Sequence, residues 1–368
     1  MDETPKVTHT LPGKPDRYSD VADGAFEQRL IAGIRPIAEH FLASALFHLF
    51  EVGIYDALRA AADPVPIAGL AEKLDLDLPR LRGLLWFLAN EGVADIQDDT
   101  VTLTAKGVQY GEFRSWYTML IGGYSGTLGQ IGDALRAGAP SCTREGRYVS
   151  RGSCEISRYD GIPMTKELLA RAGSDCTQVL DLGCGNALYL IEFCQELDGV
   201  RGWGVEPDEG GFAEAVQLVD ERGMADRIAL VNRSATKFFS EPPPGCTPDL
   251  VVFGFVLQEI LEQEGEKAVV ELLTAVVGAF PQIDIAVIEV ADVVADPSIM
   301  RHGLAANFWN PYFLLHSFTE QRLETHQYWS ELFEGIGLRV AAFVSTDRNV
   351  DSSGVELGYL LRGPQNQR

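Results

Sequence analysis

From residue 26 onward the apolar positions fall at steps of three and four: Phe26, Leu30, Ile31, Ile34, Ile37, Ala38, Phe41, Leu42 and Ala45. That is the period of one helical face, and it predicts helix throughout residues 26–62. Leu46 to Leu58 is apolar on more than one face, as in a helix buried between partners. Two shorter helical patterns follow, Ile67 to Leu74 and Pro79 to Glu91, around the turn Asp75–Asp77. Val93-Ala-Asp-Ile-Gln-Asp-Asp-Thr-Val-Thr-Leu-Thr104 then alternates on either side of a polar turn, which predicts a β-hairpin. Helix–turn–helix followed by a hairpin is a winged-helix pattern.

Residues 108–170 read as helix interrupted by Gly122, Gly123, Gly126, Gly129 and Pro140. From Gln178 the pattern changes. Strands over 178–182, 200–206, 228–231, 250–253 and 285–290 are interleaved with helices over 187–197, 212–222 and 264–280, which predicts a parallel sheet covered on both faces. Residues 339–346 and 355–361 flank a polar turn and would finish that sheet with an antiparallel hairpin. The expected fold is therefore α/β: a Rossmann-like sheet, mostly parallel with an antiparallel terminal strand, plus a mainly helical winged-helix-like N-terminal domain. The expected boundaries are a flexible tail over 1–24, the winged-helix-like domain over 25–107, a helical linker or lid over 108–170 and the sheet domain over 171–368.

Length and charge narrow the partners. A chain of 368 residues suits two domains. Its 30 Lys and Arg against 53 Asp and Glu leave a net charge of −23, which repels nucleic acid and anionic membranes. The second helix of the winged-helix pattern carries only Arg80 and Arg82, and the wing carries Asp95, Asp98 and Asp99, so a DNA-reading face is excluded. Packing against another chain suits it better. No apolar run approaches the roughly 18–20 residues that span a bilayer, and the polar N-terminus has no signal core. The six cysteines form no CxxC pair, so reduced thiols and a cytoplasmic location are expected. Against this acidic background Arg144, Arg147, Arg151 and Arg158, with Tyr148 and Tyr159, stand together. They form either a solvated connector or an anion-binding lid, since guanidinium holds carboxylate in bidentate geometry.

The chemistry centres on Asp181-Leu-Gly-Cys-Gly-Asn186, at the end of the first sheet strand. Glycines at a strand-to-helix turn let a ligand approach the backbone. Leu188 stands where the dinucleotide fingerprint has a third glycine, and the turn lacks a P-loop lysine. Asp181 in the turn would repel a pyrophosphate and welcome a cation. The next strand ends in Trp203-Gly-Val-Glu206, where a carboxylate can accept from both hydroxyls of a ribose. An adenosine ligand with a cationic, phosphate-free tail is S-adenosylmethionine.

On these motifs the second half resembles the class I S-adenosylmethionine-dependent methyltransferases. With its first half included, the chain resembles the dimeric small-molecule members, whose N-terminal domain mediates dimerisation. The resemblance implies that Asp181, Gly183 and Gly185 line the methionine and ribose, that Glu206 binds the ribose, and that Ser234 and Ala235 flank the adenine. Gly254-Phe-Val-Leu-Gln258, with Phe255, would form the floor under the sulfonium. The family usually has Asp where Ser234 stands. Its O-methyltransferases carry Leu-His-Asp-Trp where this chain has Leu257-Gln258-Glu259-Ile260, so the usual base is missing. Either Glu259 or a histidine elsewhere is the base, or the acceptor is activated differently.

The chain is more similar to the α-keto acid C-methyltransferases, some of which bind a metal that promotes enolisation. Phe308-Trp-Asn-Pro-Tyr-Phe-Leu-Leu-His316 lies where they supply a metal-binding histidine. The resemblance thus offers His316 with Glu259 or Gln258 as ligands of zinc or iron, and Trp309 and Tyr312 as substrate contacts. Phe26-Glu-Gln-Arg-Leu-Ile-Ala-Gly-Ile-Arg-Pro-Ile-Ala-Glu39, Trp116-Tyr-Thr-Met-Leu-Ile-Gly-Gly-Tyr124 and Gly152-Ser-Cys…Arg158-Tyr-Asp160 resemble the 2-ketoarginine methyltransferase group. A guanidino keto acid would need a carboxylate such as Glu112, Glu259 or Asp160, and its own carboxylate would need Arg144, Arg147 or Arg158, with Tyr159 alongside. O- or N-methylation of a natural product or guanidino compound, and a winged-helix metabolite sensor, are the competing readings.

Overall fold

The computed structural model describes residues 24–197, 199–239 and 242–366. The tail expected over 1–24 lies, apart from Gly24, outside the described residues. The chain divides into two compact units, one ending at Val108 and one beginning at Gln109.

In the first unit the expected continuous helix is two helices, Gly24–Glu51 and Ile54–Arg59. Gly53 caps the second one at φ 76°, a left-handed conformation that ends the first. The long helix buries Leu46, Leu49 and Phe50 near its end, whereas Phe26, Leu30, Ile31, Ile34, Ile37 and Phe41 stay 48–61% exposed. Among the described residues this helix, Ala25–Glu51, is long and apolar enough to cross a membrane by length and composition. The expectation that no segment reaches that length holds only for uninterrupted runs, because Arg29, Arg35 and Glu39 break this one.

Helices Ile67–Lys73 and Leu78–Asn90 follow, the second capped by Asp77, which accepts from the Arg80 amide at 2.9 Å. Three strands complete the unit: β1 (Val65–Pro66), β2 (Ala94–Gln97) and β3 (Thr100–Leu103), in the order β1-β3-β2. Asp98 and Asp99, at φ 48° and 61°, make the tight turn between β2 and β3. Strand β1 was not expected, because two residues are too few to show alternation. Arg82 pairs with Asp99 of the wing at 2.6 Å, and Arg80 approaches Asp77 at 3.9 Å, so both cations of the second helix face carboxylates.

The second unit is built on a seven-stranded sheet. Its strands are β4 (Gln178–Leu182), β5 (Arg201–Val205), β6 (Ile228–Val231), β7 (Leu250–Gly254), β8 (Asp284–Val290), β9 (Arg339–Val344) and β10 (Glu356–Arg362). The order is β6-β5-β4-β7-β8-β10-β9. Strands β4 to β8 pair in parallel, and β10 lies antiparallel between β8 and β9, the hairpin finish that the alternating pattern predicts. Strand β4 has β5 on one side and β7 on the other, so the chain reverses its direction across the sheet there. Ligands in open α/β sheets bind outside the carboxyl ends of such strands.

Helices cover both faces. One apolar core gathers Leu180, Phe253, Leu272, Ile285 and Phe333; the other gathers Leu168, Leu190, Val252, Ala286 and Leu360. The helix expected over 264–280 is Glu266–Ala279, and an unexpected short helix, Leu257–Gln263, precedes it across Gly265 at φ 88°. Two π-helical turns, Thr118–Gly122 and Ala305–Trp309, sit between α-helical segments. Such wide turns are frequent where a helix bends around a site, and both contribute residues to the cavity described next.

Candidate active site

The turn after β4 is built to expose backbone. Gly183 and Gly185 have φ of 86° and 55°, and a Cβ on Gly183 would meet Val256 Cγ2 at 2.6 Å. The Val205 carbonyl accepts from the Gly183 and Cys184 amides at 2.8 and 3.1 Å, tying the turn to the end of β5. Glu206 continues this tie. Its Oε2 accepts from the Gly185 amide and its Oε1 from the Asp208 amide, both at 2.8 Å. Each carboxylate oxygen keeps capacity for a second hydrogen bond.

Asp181 and Glu206 are both buried. Burial, and then the nearby Glu206, push the Asp181 carboxyl up to about 7. Burial pushes Glu206 up to about 7 as well, against the pull of its two amide hydrogen bonds. Two desolvated carboxyls side by side are uncomfortable as anions, and a cationic ligand relieves them.

The floor follows β7. Phe255 takes φ 60°, a left-handed conformation that costs a bulky residue energy, and its amide donates to the Ile288 carbonyl at 2.8 Å. The next amides, Leu257 and Gln258, point at Glu289 Oε1 over 2.9 and 3.4 Å. Glu289 is fully buried on β8, and burial holds its carboxyl well above the ordinary range. The sequence reading missed Glu289. The signal was there, since it is a lone acid within the apolar Ile285-Ala-Val-Ile-Glu-Val290.

Beyond the floor the side chains come from distant segments. Gln258 Nε2 donates to the Tyr312 hydroxyl at 3.3 Å, and His316 stacks on the Tyr312 ring with centroids 3.6 Å apart. His316 Nδ1 lies 2.8 Å from the Tyr312 carbonyl oxygen. A carbonyl only accepts, so Nδ1 carries the hydrogen and Nε2 keeps its lone pair. Burial pushes His316 down to about 3, leaving it neutral. Arg144 Nη2 donates to Glu259 Oε1 at 2.7 Å, and Gln321 Nε2 donates to the same oxygen at 2.9 Å. Among the described residues, the buried side-chain atoms without a hydrogen-bond partner include Arg144 Nη1, Gln258 Oε1 and His316 Nε2.

One cavity of about 580 Å³ brings these groups together. Asp181, Gly183, Gly185, Glu206, Ser234, Ala235 and Phe255 line it, as do Arg144, Gln258, Glu259, Trp309, Tyr312 and His316. Ser234 also caps the short helix Ala235–Phe238. Three candidates lie outside the lining. Arg147 is exposed, with its guanidinium 4.4 Å from the Tyr148 ring centre; Arg158 pairs with Glu192 at 2.9 Å; Tyr159 packs on Trp116 at 5.3 Å. The helix Gly146–Ile156 and the turn after it point these three away. Of the arginine cluster, Arg144 alone lines the cavity.

His316 and Glu259 do not make the metal site expected of them. The Glu259 carboxylate is already shared by Arg144 and Gln321, which donate to the same oxygen. Among the described residues no group of three or more His, Cys, Asp and Glu is placed to hold a metal ion. The same pairing removes Glu259 as a ready base.

A parallel sheet reversing at a glycine turn, with a ribose-type carboxylate on the next strand, defines a class I S-adenosylmethionine-dependent methyltransferase. No family model matches the chain. The 2-ketoarginine methyltransferase of Streptomyces arginensis is 40% identical over 343 residues, covering 92% of this chain and 97% of that protein. The chain belongs to the family of that enzyme and is an S-adenosylmethionine-dependent methyltransferase. Solved structures agree on the fold. Human N-acetylserotonin methyltransferase in complex with S-adenosylmethionine has a TM-score of 0.63 at 16% identity, covering 93% of this chain and 98% of that one. The mitomycin 7-O-methyltransferase has a TM-score of 0.57 at 20% identity, covering 93% and 99%.

Proposed function

We propose that the protein transfers the methyl group of S-adenosylmethionine to the β-carbon of an α-keto acid, 5-guanidino-2-oxopentanoate. One observation carries this reading: Arg144 Nη1 and His316 Nε2, a donor and an acceptor without partners, line the cavity that also holds the glycine turn. The relative named 2-ketoarginine methyltransferase supports the choice of keto acid.

The mechanism follows from these groups. Arg144, held by Glu259 and Gln321, donates Nη1 to the substrate carboxylate. His316 Nε2 takes a proton from C3, and the electron pair of that C–H bond moves onto the keto oxygen as the enolate. The substrate's negative charge beside Arg144 and His316 favours the imidazolium that forms. Tyr312 accepts from Gln258 and keeps its own proton, which burial holds tightly, to donate to the enolate oxygen. The enolate carbon then attacks the sulfonium methyl. A C–C bond forms, the S–CH₃ bond breaks with its electron pair on sulfur, and neutral S-adenosylhomocysteine leaves. The imidazolium returns its proton to solvent.

In this reading Asp181, Gly183 and Gly185 meet the methionine and ribose, Glu206 the ribose hydroxyls, Ser234 and Ala235 the adenine, and Phe255 the sulfonium. Gln258 orients Tyr312 and is not a base. The enzyme works in the cytoplasm as a homodimer, with a second copy covering Phe26, Leu30, Ile34 and Phe41 of the first unit.

The test incubates the full-length protein with methyl-labelled S-adenosylmethionine and a panel of keto acids, phenols and guanidino compounds, with and without chelator. Label on C3 of the guanidino keto acid, unaffected by chelator, is expected. Label only on oxygen or nitrogen of compounds lacking a keto acid overturns the reading, and loss of turnover with chelator overturns the metal-free route. A dimer mass in solution checks the assembly.

A further inference from the structure

The mechanism leaves one part of the cavity lining unused. Asp160 and Glu356, 6% and 1% exposed, both line the cavity. Asp160 caps the helix Gly161–Ala172 and accepts from the Gly161 amide. Glu356 opens β10 opposite Val290 and accepts from the Thr346 hydroxyl. Among the described residues no lysine, arginine or histidine pairs with either carboxyl. Nearby Asp351 is occupied: it accepts from Trp309 Nε1 at 2.6 Å and from Ser353 Oγ at 2.7 Å.

We propose that Asp160 and Glu356 form the subsite for the cationic, guanidinium end of the substrate, opposite in charge to Arg144, which holds the carboxylate end. The inference rests on the keto-acid reading above and extends it to the side chain of the acceptor.

Three features support it. Burial pushes the Asp160 carboxyl up to about 7 and the Glu356 carboxyl well above its ordinary range. Desolvated carboxyls without a counter-charge are expensive to keep, and a planar, five-donor guanidinium satisfies both at once. Independently of the carboxyls, Gln258 lines the same cavity at 1% exposure with its Oε1 unpartnered, an acceptor awaiting an N–H donor. Phe308, Trp309 and Tyr312 supply the aromatic lining on which a guanidinium stacks.

The test uses the full-length enzyme and two acceptors, 5-guanidino-2-oxopentanoate and the uncharged 2-oxohexanoate. Asp160→Asn and Glu356→Gln keep the side-chain shape and remove the charge. Each is expected to lower the ratio of kcat/KM for the guanidino acid over the neutral acid by about 100-fold, the loss of one charge-assisted contact. Calorimetry in the presence of S-adenosylhomocysteine is expected to show the same loss in binding of the guanidino acid. An unchanged ratio with an unchanged dissociation constant overturns the subsite, as does an equal fall for both acceptors, which marks a structural role. A selective loss of S-adenosylmethionine affinity also overturns it and assigns the pair to the cofactor's ammonium group. Should the wild type methylate neither keto acid, the keto-acid reading fails, and the calorimetric comparison still decides the subsite by itself.

Discussion

The two ends of the cavity are built by different means. At one end Asp181, Gly183, Cys184, Gly185 and the segment 206–208 line the cavity, and backbone amides have already engaged Glu206. At the other end Arg144, Gln258 of the helix Leu257–Gln263, Tyr312 and His316 of the helix Asn310–His316, and Gln321 converge from distant segments, and several of their polar atoms have no partner. In the proposed reading, the common cofactor is met by preformed backbone geometry and the particular acceptor by side chains with unsatisfied polar atoms.

The largest expected effect breaks the cofactor end. Gly183→Val places a Cβ at φ 86° and 2.6 Å from Val256, and affinity for S-adenosylmethionine should fall by about 1,000-fold or more. Calorimetry showing ordinary affinity would contradict a backbone-built site. At the acceptor end His316→Gln should lower kcat by about 100- to 10,000-fold, the usual range for a general base, while cofactor affinity stays within about twofold. Matched losses of turnover and cofactor binding would mean that the two ends are not separable. Arg144→Met should raise KM for the keto acid by about 30- to 100-fold, as expected for losing a charged hydrogen bond to the substrate carboxylate; steady-state kinetics reads this directly.

The smallest expected effect is in pH. Asp181 and Glu206 stand near 7 in the free protein, above the ordinary carboxyl value of about 4. The folded chain therefore binds more protons than the unfolded chain between about pH 4 and 7. These two groups make the cofactor-free protein less stable as pH rises through that window. A cationic cofactor prefers both carboxylates ionised, so its affinity should rise about tenfold from pH 6 to pH 8 and level off above. The thermal shift that it produces should grow in the same direction. A larger shift at pH 6 than at pH 8 would refute the electrostatic account.

The first unit repeats the contrast in another form. Its helical period was visible from Phe26 to Ala45, but the same pattern did not tell a buried face from an exposed one. In the structure Leu46, Leu49 and Phe50 are covered and Phe26, Ile31 and Phe41 are not. The break at Gly53 was equally hidden, because a glycine in an apolar run reads as a tolerated helix residue until its φ is known.

What the sequence determined by itself was the part of the protein that is local. The strand–glycine–helix turn, the acid ending the next strand and the alternation of strands and helices all lie within short windows, where steric rules act between neighbours. That was enough for the fold class, the cofactor and the methyltransferase class. Asp181, Gly183, Gly185 and Glu206 lie within those windows, and the structure places all four in the cavity lining. The tertiary structure decided everything that depends on residues far apart meeting. It separated Arg144 from Arg147 and Arg158, gave Glu259 to Arg144 in place of a metal, and brought Asp160 beside Glu356. It also buried Glu289 and fixed the tautomer of His316. Charge and hydrogen bonding act through space at a few ångströms, and distance along a chain says little about distance across a folded sheet.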